Sequence, residues 1–356
     1  MKKLLTTTAI AGSALLMAAT VQAQTTVKGQ VNLVYKAVTN NSPLGAAAGS
    51  YRSFGKETQL DVQTKGKLNN GLDYGAGFSI EHDGFEAGAV TETPGMFNEN
   101  VYIDITAGKT TFTVGADHIQ NPDFTITNLA GFRSDPEDLL NGSGNANAST
   151  QAGLYPGAAT TKYGSFGFGV IQDLGIAKAS YYYTPGGTAQ ADTGGTTWAA
   201  AADTVESGHE VMLRGDMGVK GLDATLFYSI QEGESPTAGS IVNKDAVGRM
   251  FAAKYNFGQI TLAGEIKRNT ASTAITTEGK SIAAGYAVNK DVTVAIGTAR
   301  AEKKQPGALT EKNNFVQVGY NLGPVLAGVM ISDASDIGGT LSNDAKALYL
   351  QFSTAF

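Results

Sequence analysis

Asp123, Asp135, Glu137 and Asp138, with Arg133 among them, stand on a stretch from His118 to Pro156 that carries no strand pattern. Four carboxylates so close in sequence can do two kinds of chemistry. They can hold a hard cation such as Ca²⁺ through their oxygens, or they can set a fixed negative field over ions that pass them. Proton-transfer chemistry has less to draw on. The chain has three histidines, His82, His118 and His209. Each falls at a strand end or in a loop and reads as a solvated residue, with Glu81 and Asp83 beside His82 as a charged rim. A nucleophile needs its base within reach, and no such pair stands out. There is no cysteine, so thiolate chemistry, thiolate metal sites and disulfides are excluded. Neither an enzyme nor a resident cofactor is expected.

The elements that must position these residues are strands. The last eleven residues show why. Leu348, Leu350, Phe352, Thr354 and Phe356 share one face, and Ala347, Tyr349, Gln351, Ser353 and Ala355 the other, which is the period of a β-strand. An apolar stripe running to the chain end suits a sheet whose last strand pairs with its first, because an open sheet leaves two bare edges. The first strand is expected over Val27 to Lys36, with Val27, Gly29, Val31, Leu33 and Tyr35 apart from Lys28, Gln30, Asn32 and Lys36. The second is expected from Lys56 to Leu68, with Arg52 in the loop before it.

The same unit recurs along the chain: an alternating strand, a tight turn, a second strand, then a longer polar loop. Asn69 to Gly71, Gly108-Lys109, Lys220-Gly221, Gly258, Asn289 to Asp291 and Gly323-Pro324 are the tight turns. The count is roughly sixteen strands, an even number with short turns on one side and long loops on the other, as membrane barrels have. Tyr35, Tyr74, Phe112, Tyr255, Phe257, Tyr286, Tyr320 and Phe356 near strand ends suit interfacial girdles. The expected fold is therefore all-β, a transmembrane antiparallel barrel.

Composition agrees. Charged residues make up 16% of the 356-residue chain, yet mean hydropathy is only −0.10, so much of the polarity is uncharged. The second strand faces carry Gln, Asn, Asp, Glu, Lys and Arg almost throughout, too polar for a packed sandwich and suited to a water-filled lumen. Lys2 and Lys3, the run from Leu4 to Thr20, and Val21-Gln22-Ala23 form a secretory signal over residues 1–23. The mature domain would run over 24–356. Of the 26 basic residues in the chain, 24 then remain against 32 acidic ones, and no basic stripe suggests nucleic acid as a partner.

The stretch 118–156 is too long for a plain connection. Ser134-Asp135-Pro136-Glu137 resembles a helix start, and Phe124, Leu129, Phe132, Leu139 and Leu140 give it apolar contacts of its own. It either folds into the lumen and narrows it or remains an external loop.

The leader, the strand count, the long loop after the fifth strand and the terminal Phe356 resemble the general diffusion porins of Gram-negative outer membranes, in particular the trimeric porins of alpha- and betaproteobacteria. The resemblance spans the mature chain. It implies passive diffusion of small hydrophilic solutes and ions, a homotrimer in outer-membrane lipid, and a C-terminal strand ending on Phe356 that the barrel-assembly machinery reads. It also implies an inward-folded third loop, whose carboxylates would be Asp123, Asp135, Glu137 and Asp138 with Arg133. The pore wall would draw on Lys36, Arg52, Asp61, Lys65 and Asp104. The chain departs from the family pattern in lacking an arginine cluster at mid-height on the early strands. An acidic loop facing such a wall favours cations. A substrate-selective porin and a surface adhesin or structural protein are the alternatives.

Overall fold

Alternation along the chain becomes a closed sheet. The structure, a computed structural model, describes residues 24–40, 49–84, 96–116, 129–131, 166–185, 207–231, 245–270, 276–337 and 341–356. The leader expected over residues 1–23 lies outside them. The first half of the sheet comprises β1 (Gln24–Asn40), β2 (Gly49–Lys67), β3 (Asp73–Gly84), β4 (Met96–Ala107), β5 (Thr110–Ala116), β6 (Phe166–Asp173), β7 (Lys178–Thr184) and β8 (Gly208–Gly215). The second half comprises β9 (Leu222–Gln231), β10 (Ala246–Phe257), β11 (Ile260–Thr270), β12 (Thr276–Ala287), β13 (Val292–Lys303), β14 (Thr310–Asn321), β15 (Val325–Ser335) and β16 (Ala345–Ala355). Each strand pairs antiparallel with its neighbours in sequence, and β16 pairs with β1, so the sixteen strands close into a barrel.

The seam between β1 and β16 is where the terminal residue acts. Ala355 pairs with Gln30, and Phe356 and Gly29 exchange both backbone hydrogen bonds at 2.8 Å. The Phe356 ring lies across Gly29, where a Cβ would sit 2.3 Å from the ring's Cζ. The aromatic ring occupies the space a side chain would take, a known way to stabilise a glycine in a sheet.

The two faces divide as the alternation expects. Outward residues include Ile282, 65% exposed, Phe54, 65%, and Ile296, 60%. A continuous exposed apolar surface of this extent has no place in water. Among the described residues no helix is long and apolar enough to cross a membrane. The apolar outer face belongs to the strands, whose closure leaves no backbone edge in lipid. Tyr255, Phe257, Tyr286 and Tyr320 face outward near the tight-turn rim and are exposed, as the girdle requires.

The tight turns share a device. The side-chain oxygen of Asn70, Asp173, Asp216, Asn289 or Asn321 accepts the backbone N–H two residues on, at 2.7–3.2 Å. These Asx turns satisfy the backbone where the ladder stops. One of them, Asp173-Leu174-Gly175 between β6 and β7, was not among the turns expected from sequence. A register shift interrupts the β3–β4 pairing: Gly77 pairs with Tyr102 but Ser79 with Glu99. Asn100, at φ 53°, is the bulge residue, and the extra residue lets the pairing resume at Ser79 and Glu99 with Tyr102 still on the lumen side.

Candidate functional site: the barrel lumen

One wall of the lumen is a polar ladder on β1 to β5. Gln30 Nε2 donates to Gln59 Oε1, and Gln59 Nε2 donates to Asp61 Oδ1 at 2.9 Å and to Ser79 Oγ at 3.2 Å. Ser79 Oγ donates to Asp61 Oδ1 at 2.7 Å, and Asn100 Nδ2 donates to Ser79 Oγ at 3.2 Å. The register continues the ladder through Gly77 to Tyr102 and from Gly75 to Asp104. Strand pleating aims these side chains inward, and directly opposed residues come within hydrogen-bonding reach.

The expected wall residues divide. Asp61 and Asp104 face the lumen at mid-strand. Lys36 also points inward, opposite Ser53 on β2 and Tyr349 on β16, and is buried. Lys65 lies on the inward face of β2 near the tight-turn rim, opposite Gly75. Arg52 differs from expectation twice. It belongs to β2 rather than a loop, because that strand begins at Gly49, seven residues before the expected start at Lys56. It also shares the outward face with Phe54 and lines an outer groove with Thr39, Ile331, Lys346 and Leu348. Arg52 therefore faces away from the pore. Asp123, Arg133, Asp135, Glu137 and Asp138 lie outside the described residues.

The far wall is of another kind. Expectation had the inward faces polar nearly everywhere, but β13 turns Ala295, Gly297, Ala299 and Ala301 inward, and β16 turns Ala345 and Ala347 inward, the alanines all buried. Buried pairs lie among them. Lys267 Nζ is 2.9 Å from Glu265 Oε1, which also accepts from Ser281 Oγ at 3.0 Å. Ser332 Oγ donates to Asn313 Oδ1 at 2.6 Å.

Leu129, Ala130 and Gly131 lie against part of this wall, at Gly285 on β12, Gly319 on β14 and Leu326 on β15. They belong to the chain between β5 and β6, yet they pack on the opposite side of the barrel. Leu129 packs against Met212, Phe227, Met250, Ala252 and Ala263, and also against a second cluster. That second cluster unites Ala130 with Ala295, Met330 and Tyr349. A Cβ on Gly319 would lie 2.0 Å from the Ala130 carbonyl oxygen, so glycine is needed where this segment meets β14. A Cβ on Gly285 would lie 3.2 Å from Leu129 Cβ. The sequence signal that was missed is the small inward residues Gly285, Ala295 and Gly319 on three successive strands. An alanine at an inward position of a barrel strand marks a place where something else fills the lumen.

Chemically, a polar wall with a docked segment facing it can filter what passes. His209 lies on the outer face, its Nδ1 2.9 Å from Tyr181 Oη. Among the described residues no three His, Asp or Glu side chains converge to hold a metal ion, and the carboxylates considered for Ca²⁺ lie outside them.

Comparisons with known proteins converge on one family. A family model described as Gram-negative porin matches residues 6–353. No curated protein matches by sequence. Among solved structures, the anion-selective porin from Comamonas acidovorans aligns with TM-score 0.62 at 15% identity, covering 94% of this chain and 100% of that one. A mutant of Rh. blastica porin aligns with TM-score 0.57 at 13% identity, over the same shares of the two chains. A Rhodopseudomonas blastica porin triple mutant aligns with TM-score 0.55 at 12% identity, again over 94% of this chain and 100% of that one. At these identities the structural likeness speaks for the sixteen-stranded fold, and the family model speaks for descent: the chain belongs to the Gram-negative porin family.

Proposed function

We propose that this porin lets small hydrophilic solutes and ions diffuse passively across an outer membrane through a mildly cation-selective pore. The observation that carries this is the division of the barrel: a polar inner ladder on β1 to β5, an apolar outer face, and a segment of the β5–β6 connection inside the lumen. Nothing need be bound tightly or turned over. The wall supplies a wet polar path through a low-dielectric slab, and the inward segment sets its width.

The cation preference is supported by how charge is divided between the faces. Outward positions of the described strands carry eight basic side chains, at Arg52, Lys56, Arg249, Arg268, Lys280, Arg300, Lys312 and Lys346, against three acidic ones, at Glu278, Glu302 and Asp333. The remainder of an acidic chain, loops and lumen taken together, is thereby left richer in carboxylates, the described inward strand positions themselves being balanced. The Comamonas neighbour is named anion-selective, but at 15% identity its wall is not this wall. Asp123, Asp135, Glu137 and Asp138 are proposed as the constriction carboxylates, with Arg133. A homotrimer, removal of residues 1–23 on export, and recognition of the strand ending at Phe356 by the assembly machinery complete the proposal.

The deciding experiment is conductance in a planar bilayer under a salt gradient, with liposome swelling by small sugars alongside. A reversal potential on the cation side and swelling that falls with sugar size are expected. An anion-side reversal potential overturns the selectivity, and absence of conductance overturns the channel.

A further inference from the structure

On the outer face of β12, β13 and β14 three cations stand in a row. Lys280 pairs directly with Arg300, and Arg300 directly with Lys312. All three are exposed on the outward face. Among the described residues none of them has a hydrogen-bond or ion-pair partner. Like charges directly opposed across a sheet are destabilising, and here two such pairs share their middle member.

The neighbouring row shows that the protein does neutralise opposed charges elsewhere. Glu278 stands opposite Glu302. Lys304 bridges both, its Nζ 3.2 Å from Glu278 Oε2 and 2.9 Å from Glu302 Oε2. Arg268 approaches Glu278 from the other side, at 3.9 Å. One like-charge pair is resolved inside the molecule, and the cationic row beside it is not. Its position supplies the missing partner. The row lies near the long-loop ends of the three strands, and the same outward faces continue toward the tight turns as Ile282, Ile296 and Val316, all exposed and apolar. This is the boundary between the hydrocarbon of a membrane and its headgroups.

We propose that Lys280, Arg300 and Lys312 form a site on the outer wall for the phosphate of an anionic lipid headgroup in the leaflet on the long-loop side. Adjacent strands are about 4.8 Å apart, so the row spans roughly 10 Å. A headgroup phosphate seated on Arg300 reaches both lysines. The guanidinium can grip it through two N–H donors, and the lysines act as flanking point charges. The acyl chains then run down the strip of Ile282, Ile296 and Val316. The site is separate from the lumen, and it rests on the barrel being embedded in a membrane.

The test uses the full-length porin in phosphatidylcholine bilayers doped with spin-labelled phosphatidic acid or spin-labelled phosphatidylcholine, read by the motionally restricted fraction of each label. The expected result is a preference for the phosphatidic label of roughly tenfold or more over the choline label, falling as salt is raised. Lys280→Gln/Arg300→Gln/Lys312→Gln should abolish it, and Lys178→Gln, inside the lumen, should leave it intact. Retention of the preference in the triple variant overturns the site. Displacement of the label by an equal concentration of inorganic phosphate overturns a lipid as its ligand. Single-channel conductance of the same samples is read separately, so a triple variant that still conducts has a folded barrel, and a wild type that fails to conduct counts against the pore rather than the lipid site.

Discussion

Gly319→Ala tests whether the docked segment sets the pore. The added Cβ would sit 2.0 Å from the Ala130 carbonyl oxygen. Nonbonded Cβ contacts essentially never fall under 3.0 Å, so the carbonyl must retreat by at least about 1 Å, a shift that a well-packed interior cannot absorb silently. The retreat is away from β14 and therefore toward the barrel axis. The barrel has no reason to unfold. The pairing of Gly319 with Thr293 and Gly328 is backbone to backbone, and what is lost is part of the burial of Leu129, on the order of 1.5–3 kcal/mol even if it were complete. Gly285→Ala is the matched control. Its Cβ would lie 3.2 Å from Leu129 Cβ, so the neighbour need give by only a few tenths of an ångström. Single-channel conductance should fall for Gly319→Ala, with added current noise, and stay near wild type for Gly285→Ala, with both barrels melting close to the wild-type temperature. Equal conductance in all three proteins would refute the idea that this segment lines the pore, as would a larger effect from Gly285→Ala.

Ile296→Arg places a charge on the outward apolar strip and should destabilise the barrel in lipid by about 2–4 kcal/mol if the residue lies near mid-membrane, measured by urea unfolding in vesicles. Gly29→Val puts a Cβ 2.3 Å from Phe356 Cζ and should open the β1–β16 seam first, seen as faster amide exchange at Gly29 and Ala355 than at the β8–β9 pairing. Hydrogen bonds to Glu302 and then Glu278 raise the Lys304 ammonium above its ordinary 10.5. With a raised folded value, its contribution to stability is complete below 10.5 and is lost as pH rises through the folded value. Side-chain NMR should show Lys304 deprotonating above the ordinary lysine value, and Glu302→Gln should bring it forward.

Strand existence was legible because lipid demands a strict rule of its side of the barrel. Every second residue of a span must be apolar, and that leaves a mark such as Val316, Val318 and Tyr320 against Glu311, Asn313 and Gln317. The rule stops where lipid stops. Residues 49–55 of β2 continue the ladder at the long-loop end, where Arg52 shares the outward face with Phe54. Alternation therefore vanishes while the strand persists, and Arg52 read as a loop residue on the pore side. The Asn100 bulge was hidden for a different reason: a single added residue flips parity, and Asn98, Glu99 and Asn100 are polar whichever way they point.

The lumen obeys no comparable rule, and this is why its organisation was the least legible part. An inward position tolerates water, a partner side chain or a visiting loop, and each selects different residues. Where water is the neighbour, on β1 to β5, the sequence shows Gln30, Gln59, Asp61 and Asp104, and the polarity was read correctly. Where the neighbour is Leu129 to Gly131, the sequence shows Gly285, Ala295 and Gly319, which look like lapses in a polar face until the visitor is placed. The charge rows on the outer wall follow the same reasoning in reverse. Glu278 and Glu302 tolerate each other because Lys304 is their neighbour, and Lys280, Arg300 and Lys312 can tolerate each other only if a neighbour from outside the chain carries the opposite charge. Residues that break the local pattern thus report what stands beside them: a tail ring at Gly29, a crossing segment at Gly319, and a phosphate at Arg300.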